Sequence, residues 1–294
     1  MTEVREEPAE SGPSIDPGTT GDPRDPGAAV DSPAPVESTP VAEPIRPFTL
    51  AIDVGGTGLK ASVLDANGKM IADRVRADTT YPLSPDDFVD AIAKLVQPLP
   101  KADRASMGFP GVVRNGRIVT APHFVTKRGP GSEVVPTLLA AWSGFDAASR
   151  IGERLSLPTR ILNDADLQGL AVVEGHGLEF VITLGTGVGT ALFLDGVLAP
   201  HLELAHHPFR KGGTYNDQLG EAAFEKIGAK RWRGRVELAL EALYDLIHYD
   251  HCFVGGGNAR HLRNHIDGPV TVVDNVAGIL GGIKLWNDVT TPPA

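Results

Sequence analysis

The chain has 294 residues, 41% of them hydrophobic, a net charge of −10 and one cysteine. Such a chain can bury the core of one large or two modest domains, while a disulfide scaffold and a multi-cysteine zinc site are excluded. No apolar run approaches the roughly 20 residues of a bilayer span, and the start lacks a basic-then-apolar leader, so with Cys252 alone the expected location is a reducing cytoplasm.

The charge is uneven. Residues 1–47 hold ten acids, three arginines and ten of the 24 prolines, too little apolar surface to offset the entropy of ordering. They read as a disordered acidic tail. A strand at 48–52 then runs into Asp53-Val54-Gly55-Gly56-Thr57-Gly58, followed by a strand at 59–64, an Asn67-Gly68 turn and a strand at 69–75. Glycines after a strand let an anion approach backbone N–H groups. Asp53 at the strand end suits a hydrated Mg²⁺, Thr57 adds a hydroxyl and Lys60 a countercharge. Taken singly, Gly-Gly also makes plain hairpins.

Serine before proline and two acids, Ser84-Pro85-Asp86-Asp87, predicts a helix start, and Phe88, Ile92, Leu95 and Val96 share its apolar face. A strand at 105–107 leads into Gly108-Phe109-Pro110-Gly111, and 112–119 reads as a hairpin folded at Asn115-Gly116. Residues 120–144 read as a long loop carrying His123, Lys127 and Arg128, open between a ligand cover and ordinary surface cations. A helix at 147–155 and a strand at 159–162 precede Asn163-Asp164-Ala165-Asp166, which opens a helix over 165–173. Polar ends of α/β strands are where ligands bind. Asn163 suits sugar hydroxyls and Asp164 can take a proton from an attacking one, while Asp166 reads as a helix cap.

The first plan then repeats, and the repeat decides between the two readings of the glycines. A strand at 180–184 meets Gly185-Thr186-Gly187-Val188-Gly189, then a strand at 190–194, Asp195-Gly196 and a strand at 197–199. Two phosphate-facing hairpins in two similar halves imply a nucleotide or polyanion held between them. Beyond lies Glu203-Leu204-Ala205-His206-His207, read as strand, where Glu203 and His206 are hydrogen-bonding groups for an acceptor. Arg210 and Lys211 stand open between phosphate contacts and structural ion pairs. Helices at 216–227 and through Val236, Leu240, Leu243 and Ile247 are joined by a basic linker at 230–235, read as a solvated helix end rather than a nucleic-acid site. A strand at 250–254 breaks into Gly255-Gly256-Gly257-Asn258, where a base or phosphate can lie on bare backbone. A strand at 270–273 and a small-residue helix from Val276 complete the chain.

In this order the four motifs resemble the ROK family of sugar kinases and regulators, within the actin-like ATPase superfamily and nearest its polyphosphate-glucokinase-like branch. The likeness covers roughly residues 48–288. It implies an α/β, two-lobed ribonuclease H-like fold with duplicated β-meander halves: an N-terminal lobe over 48–163, a C-terminal lobe over 164–275, and a helix at 276–288 returning to the first. It implies a kinase moving a phosphoryl group from ATP or polyphosphate to a glucose-like hexose hydroxyl with Mg²⁺, with Asp164 as base. The alternative is a non-catalytic sugar-sensing or interaction protein. By the same likeness Gly55, Gly56, Thr57, Gly58, Gly185, Thr186 and Gly187 serve phosphates and Gly255, Gly256, Gly257 and Asn258 the nucleoside side. Gly108, Pro110 and Gly111 line the sugar pocket, and Glu203 with His206 matches a Glu-x-Gly-His signature whose glycine is Ala205 here. A homodimer without structural zinc, membrane or nucleic acid completes the expectation.

Overall fold

The computed structural model describes residues 43–263, 266, 268–273 and 277–287. The acidic tail read at 1–47 lies outside these except for its last residues. Of these, Ile45 already accepts a hydrogen bond from the Ala66 amide and Arg46 pairs with Asp103.

The first lobe is built on β1 (Thr49–Val54), β2 (Gly58–Leu64) and β3 (Val75–Asp78), then α1 (Pro85–Val96) and β4 (Arg104–Phe109). A side hairpin of β5 (Val113–Arg114) and β6 (Arg117–Ile118) follows, with α2 (Pro136–Trp142), β7 (Phe145–Asp146), α3 (Ala147–Leu155) and β8 (Thr159–Asn163). The main sheet runs β3-β2-β1-β4-β8, antiparallel through the meander and parallel from β1 to β8. After α4 (Asp164–Val172) the second lobe repeats the plan with β9 (Leu178–Leu184), β10 (Val188–Leu194) and β11 (Val197–Leu198). A small ribbon, β12 (Pro208–Arg210) and β13 (Gly213–Thr214), precedes α5 (Tyr215–Leu219), α6 (Glu221–Ile227) and α7 (Ala229–Ile247). Then come β14 (His251–Gly255), β15 (Val270–Val272) and α8 (Ala277–Lys284), and the second sheet runs β11-β10-β9-β14-β15 with the same pattern of directions as the first.

Each lobe has its own core. In the first, Phe88, Phe109, Phe124 and Trp142 are buried ring against ring, with centroids 5.4–6.0 Å apart. In the second, Phe180, Trp232, Val236 and Leu240 pack together. A third cluster of Leu167, Phe193, Phe253 and Leu285 joins α4, β10, β14 and the residues after α8. Helix α8 lies against α4, β1 and β4, and the Ser106 hydroxyl donates to the Gly282 carbonyl at 2.5 Å.

Several elements differ from the sequence reading. The strand expected at 69–75 is displaced to β3. Asp65 accepts from the Asn67 and Lys69 amides in a local turn, Met70 makes only an isolated bridge to Leu64, and the continuous ladder starts where Val75 meets Ala61. The loop at 120–144 contains α2, whose one buried residue is Trp142, so no apolar stripe announces it. The helix expected at 216–227 breaks at Gly220, where φ is −65° and ψ 170°. The basic linker at 230–235 is the start of α7, with Trp232 fully buried and its indole N–H donating to the Leu219 carbonyl at 2.8 Å. Residues 204–206 form a 3₁₀ turn rather than strand. The helix predicted from Val276 to Trp286 is Ala277–Lys284, and residues 276 and 288 lie outside the described residues. No helix among the described residues is long and apolar enough to cross a membrane.

Candidate active site

The site forms where β8 meets α4. Asn163, not Asp166, caps this helix: its Oδ1 accepts from the Ala165 amide at 2.7 Å and the Asp166 amide at 3.3 Å. The other end of the same buried amide donates to the Gly111 carbonyl at 3.1 Å, which ties the Gly108–Gly111 turn to the start of α4. Most of the Asn163 hydrogen-bonding capacity expected for a sugar is thus spent within the protein. Gly108 allows that closeness, since a Cβ there would lie 3.4 Å from the Asp164 Cα, and a Cβ on Gly111 would run into the Thr120 carbonyl. Pro110, between them, is half-buried.

Asp164 is half-buried, and its Oδ1 accepts from the Ala165 amide at 2.9 Å. Burial pushes its carboxyl up to about 6; the backbone hydrogen bond opposes this, and the negative charges of Asp53, Asp166 and Glu203 add to it. Three carboxylates from β1, α4 and the segment after β11 therefore act on Asp164. Asp53 is exposed at its side chain and pairs with Lys60 across the β1–β2 ladder at 3.3 Å. Lys60 is thus countercharge to Asp53 itself.

The first glycine turn is closed by Gly55 N–H donating to the Gly58 carbonyl at 3.0 Å, with the Gly55 and Gly56 carbonyls accepting from the Thr79 and Tyr81 hydroxyls. Thr57 is exposed at its tip. The long loop folds over this turn: a Cβ on Gly56 would lie 3.1 Å from Pro130 and 3.2 Å from the His123 ring. Burial lowers the pKa of His123, and the charge of Glu203 opposes that shift.

The second and third glycine turns meet each other. Gly185 N–H donates to the Gly187 carbonyl at 2.9 Å, and the Gly185 carbonyl accepts from the Glu221 amide at 2.9 Å, beside Thr186. Val188 N–H reaches the Asn216 side chain at 3.0 Å, and Asn258 N–H the Leu184 carbonyl at 2.9 Å. Gly256 has φ +87°, and a Cβ on it would strike the Leu184 backbone, whereas Gly185 and Gly257 face open space. Asn258, counted among the ligand contacts, is 2% exposed and donates to the Glu221 carboxylate at 2.6 Å, so it braces the turn instead.

Asp166, read as a cap, is buried and bonded to His201, Oδ1 to Nδ1 at 2.9 Å. The sequence reading missed His201. The available signal was the proximity in sequence of His201 to Glu203, two residues on. Glu203 lies 3.6 Å from His201 Nε2 and 3.9 Å from His206 Nε2, and His206 is itself exposed. His201 holds the Glu203 carboxyl below its ordinary range against the effect of burial. Beyond this cluster, burial and the nearby Arg210 charge lower the pKa of Arg235, whose guanidinium also reaches the Gln218 carbonyl at 3.4 Å. Lys211 is exposed at φ +50° in the turn between β12 and β13.

The model of the ROK family matches residues 49–200. The polyphosphate glucokinase of Mycobacterium tuberculosis is 30% identical over 248 residues, covering 78% of this chain and 88% of that protein. The chain belongs to the ROK family. The Mycobacterium leprae polyphosphate glucokinase is 29% identical over 250 residues, 78% of this chain and 72% of that protein. The crystal structure of the inorganic polyphosphate/ATP-glucomannokinase of Arthrobacter sp. strain KM superposes with a TM-score of 0.66 at 26% identity, over 81% of this chain and 97% of that one. As in these ROK relatives, the chain has the actin-like ATPase fold, here as two meander-led sheets of equal plan.

Proposed function

We propose that this ROK protein is a sugar kinase that transfers the terminal phosphoryl group of polyphosphate or ATP to a hexose hydroxyl. The observation that carries the reading is the Asp164 carboxyl, half-buried at the head of α4, held near pKa 6 and facing the charges of Asp53 and Glu203. A general base works best with a pKa near the operating pH, and phosphoryl transfer otherwise needs position and charge neutralisation more than covalent work. In the proposed step the hexose hydroxyl oxygen bonds to the terminal phosphorus as the bridging P–O bond breaks. The hydroxyl proton passes to Asp164, and the electron pair leaves with the shortened donor. Glu203 and His206 orient the acceptor, and, with the Gly55 and Gly185 N–H groups closing their own turns, the backbone of Gly56, Thr57, Thr186 and Gly187 receives the phosphates.

Among the described residues no group of three or more His, Cys, Asp and Glu is arranged to hold a metal by itself. That fits Mg²⁺, which keeps several waters and takes one or two carboxylates plus substrate phosphates. The exposed Asp53 would hold it, and when bound it supplies charge neutralisation at the transferring group. The names of the relatives favour polyphosphate beside ATP as donor.

The test is a coupled assay with Mg²⁺, crossing ATP and polyphosphate against a panel of hexoses. Turnover with at least one pair is expected, and silence across the panel from folded protein would overturn the kinase reading in favour of a sugar-binding one.

A further inference from the structure

We propose that His201 is a positioning residue of the acceptor site, holding the Glu203 carboxylate where it meets the sugar. The inference rests on the reading of Glu203 as a sugar contact. The His201 side chain is 3% exposed and stands between two acids of different elements. Its Nδ1 end is anchored 2.9 Å from Asp166 Oδ1, on a carboxylate equally buried in α4. Its Nε2 end is buried without a hydrogen-bond partner among the described residues, 3.6 Å from Glu203 Oε1.

A distance of 3.6 Å is too long for a hydrogen bond, and a buried ring N–H left unmet is unfavourable. Asp166 is fixed in the helix, whereas the Glu203 side chain is 34% exposed toward the cluster of Asp164, His123 and His206. The carboxylate that can move is therefore Glu203, and a shift of under about 1 Å completes the bond. Burial disfavours a charged ring, but the Asp166 hydrogen bond and the negative charges of Asp166 and Glu203 outweigh it and push His201 up to about 9. A cation there draws Glu203 inward and keeps it ionised. Because Asp166 lies two residues after Asp164 on α4, the contact to the sugar and the base are referred to one rigid helix.

The test uses the full chain with His201→Asn, which keeps a polar group for Asp166 and removes the Nε2 end, and His201→Gln, which keeps a donor at the far end. Hexose Kd by calorimetry and hexose KM are expected to rise about tenfold in His201→Asn, corresponding to about 1.4 kcal/mol. Donor KM should stay within about twofold, and His201→Gln should recover most of the loss. In a Glu203→Gln background His201→Asn should add nothing.

Unchanged hexose affinity in folded His201→Asn, an equal further loss in the Glu203→Gln background, or a parallel loss of donor affinity would each overturn the proposal. Should His201→Asn fail to fold, a tenfold weaker hexose affinity in folded His201→Gln overturns it and near-native affinity supports it. Wild-type protein that binds hexose without turnover would refute the kinase reading alone, with calorimetry still deciding on His201. Wild-type protein that binds no hexose would overturn both.

Discussion

Asp164 is the base of the proposed mechanism, and its place in the structure has an energetic cost. Its carboxyl rises from 3.8 to about 6 on folding, a displacement equivalent to about 3 kcal/mol. Because the folded state holds this proton more tightly than the unfolded chain, the group favours folding below pH 3.8 and that contribution is lost as pH rises through about 6. Asp164→Asn removes the buried charge. It is expected to melt several degrees higher than wild type at pH 7.5, with the advantage shrinking toward pH 5, measured by thermal denaturation at both values. The same variant should lose about 10²–10⁴-fold in turnover, as expected for a removed general base. Wild-type kcat/KM should fall about tenfold per pH unit below about 6 and level off above it, because only the ionised carboxylate accepts the proton. A pH-independent rate between 5 and 8 would speak against Asp164 as base.

At the scale of elements, the three glycine turns are not equivalent. Gly256 sits at φ +87° with its α-carbon against the Leu184 backbone, so Gly256→Ala must displace a strand end and suffers the strain of a left-handed non-glycine residue. Gly257 faces open space. Gly256→Ala is expected to lose about 2–4 kcal/mol in urea denaturation and to weaken donor binding, while Gly257→Ala keeps wild-type stability. The start of α7 offers a second contrast. Its Arg235, whose guanidinium reaches the Gln218 carbonyl of α5, feels the like charge of Arg210 in β12. A like-charged pair favours an extended polyanion over a single phosphate group. Arg235→Ala with Arg210→Ala should therefore raise KM for long-chain polyphosphate at least about fivefold more than KM for ATP, with the difference shrinking at high salt. Equal effects on the two donors would mean that these arginines do not distinguish polyphosphate from ATP.

For the molecule as a whole, α8 is the piece that packs between α4 and the first sheet. A Cβ on Gly281 would run into the Leu167 carbonyl, and the Trp286 indole N–H donates to Ser106 at 2.8 Å with Arg160 stacked 4.5 Å over the ring. Gly281→Val is expected to cost about 1–3 kcal/mol through overpacking and, because α4 carries Asp164, to lower kcat as well. Gly282→Ala meets the Ser106 side chain at 3.3 Å and should be milder on both counts. Loss of stability without loss of kcat in Gly281→Val would mean that α4 keeps its place without close packing of α8.

Local chemistry was enough to announce the repeated strand, glycine turn and strand, the Ser84 cap and the Asn115-Gly116 hairpin, because each is decided within a few residues. Ser84 accepts from the Asp87 amide, and Asn115 and Gly116 both take positive φ. The same local reading erred where distant partners decide. Nothing near Trp142 or Trp232 in sequence tells that each packs into an aromatic core, so the local pattern alone reads a helix as loop and a helix start as linker. Asp166 has the spacing of a cap, and only the fold brings His201, 35 residues away, within 2.9 Å of it. A cap or a turn is a contract between neighbours in the chain. A buried ion pair exists only once two elements have been packed and water has been taken from between them, and that removal of water is also what raises Asp164 toward a usable base.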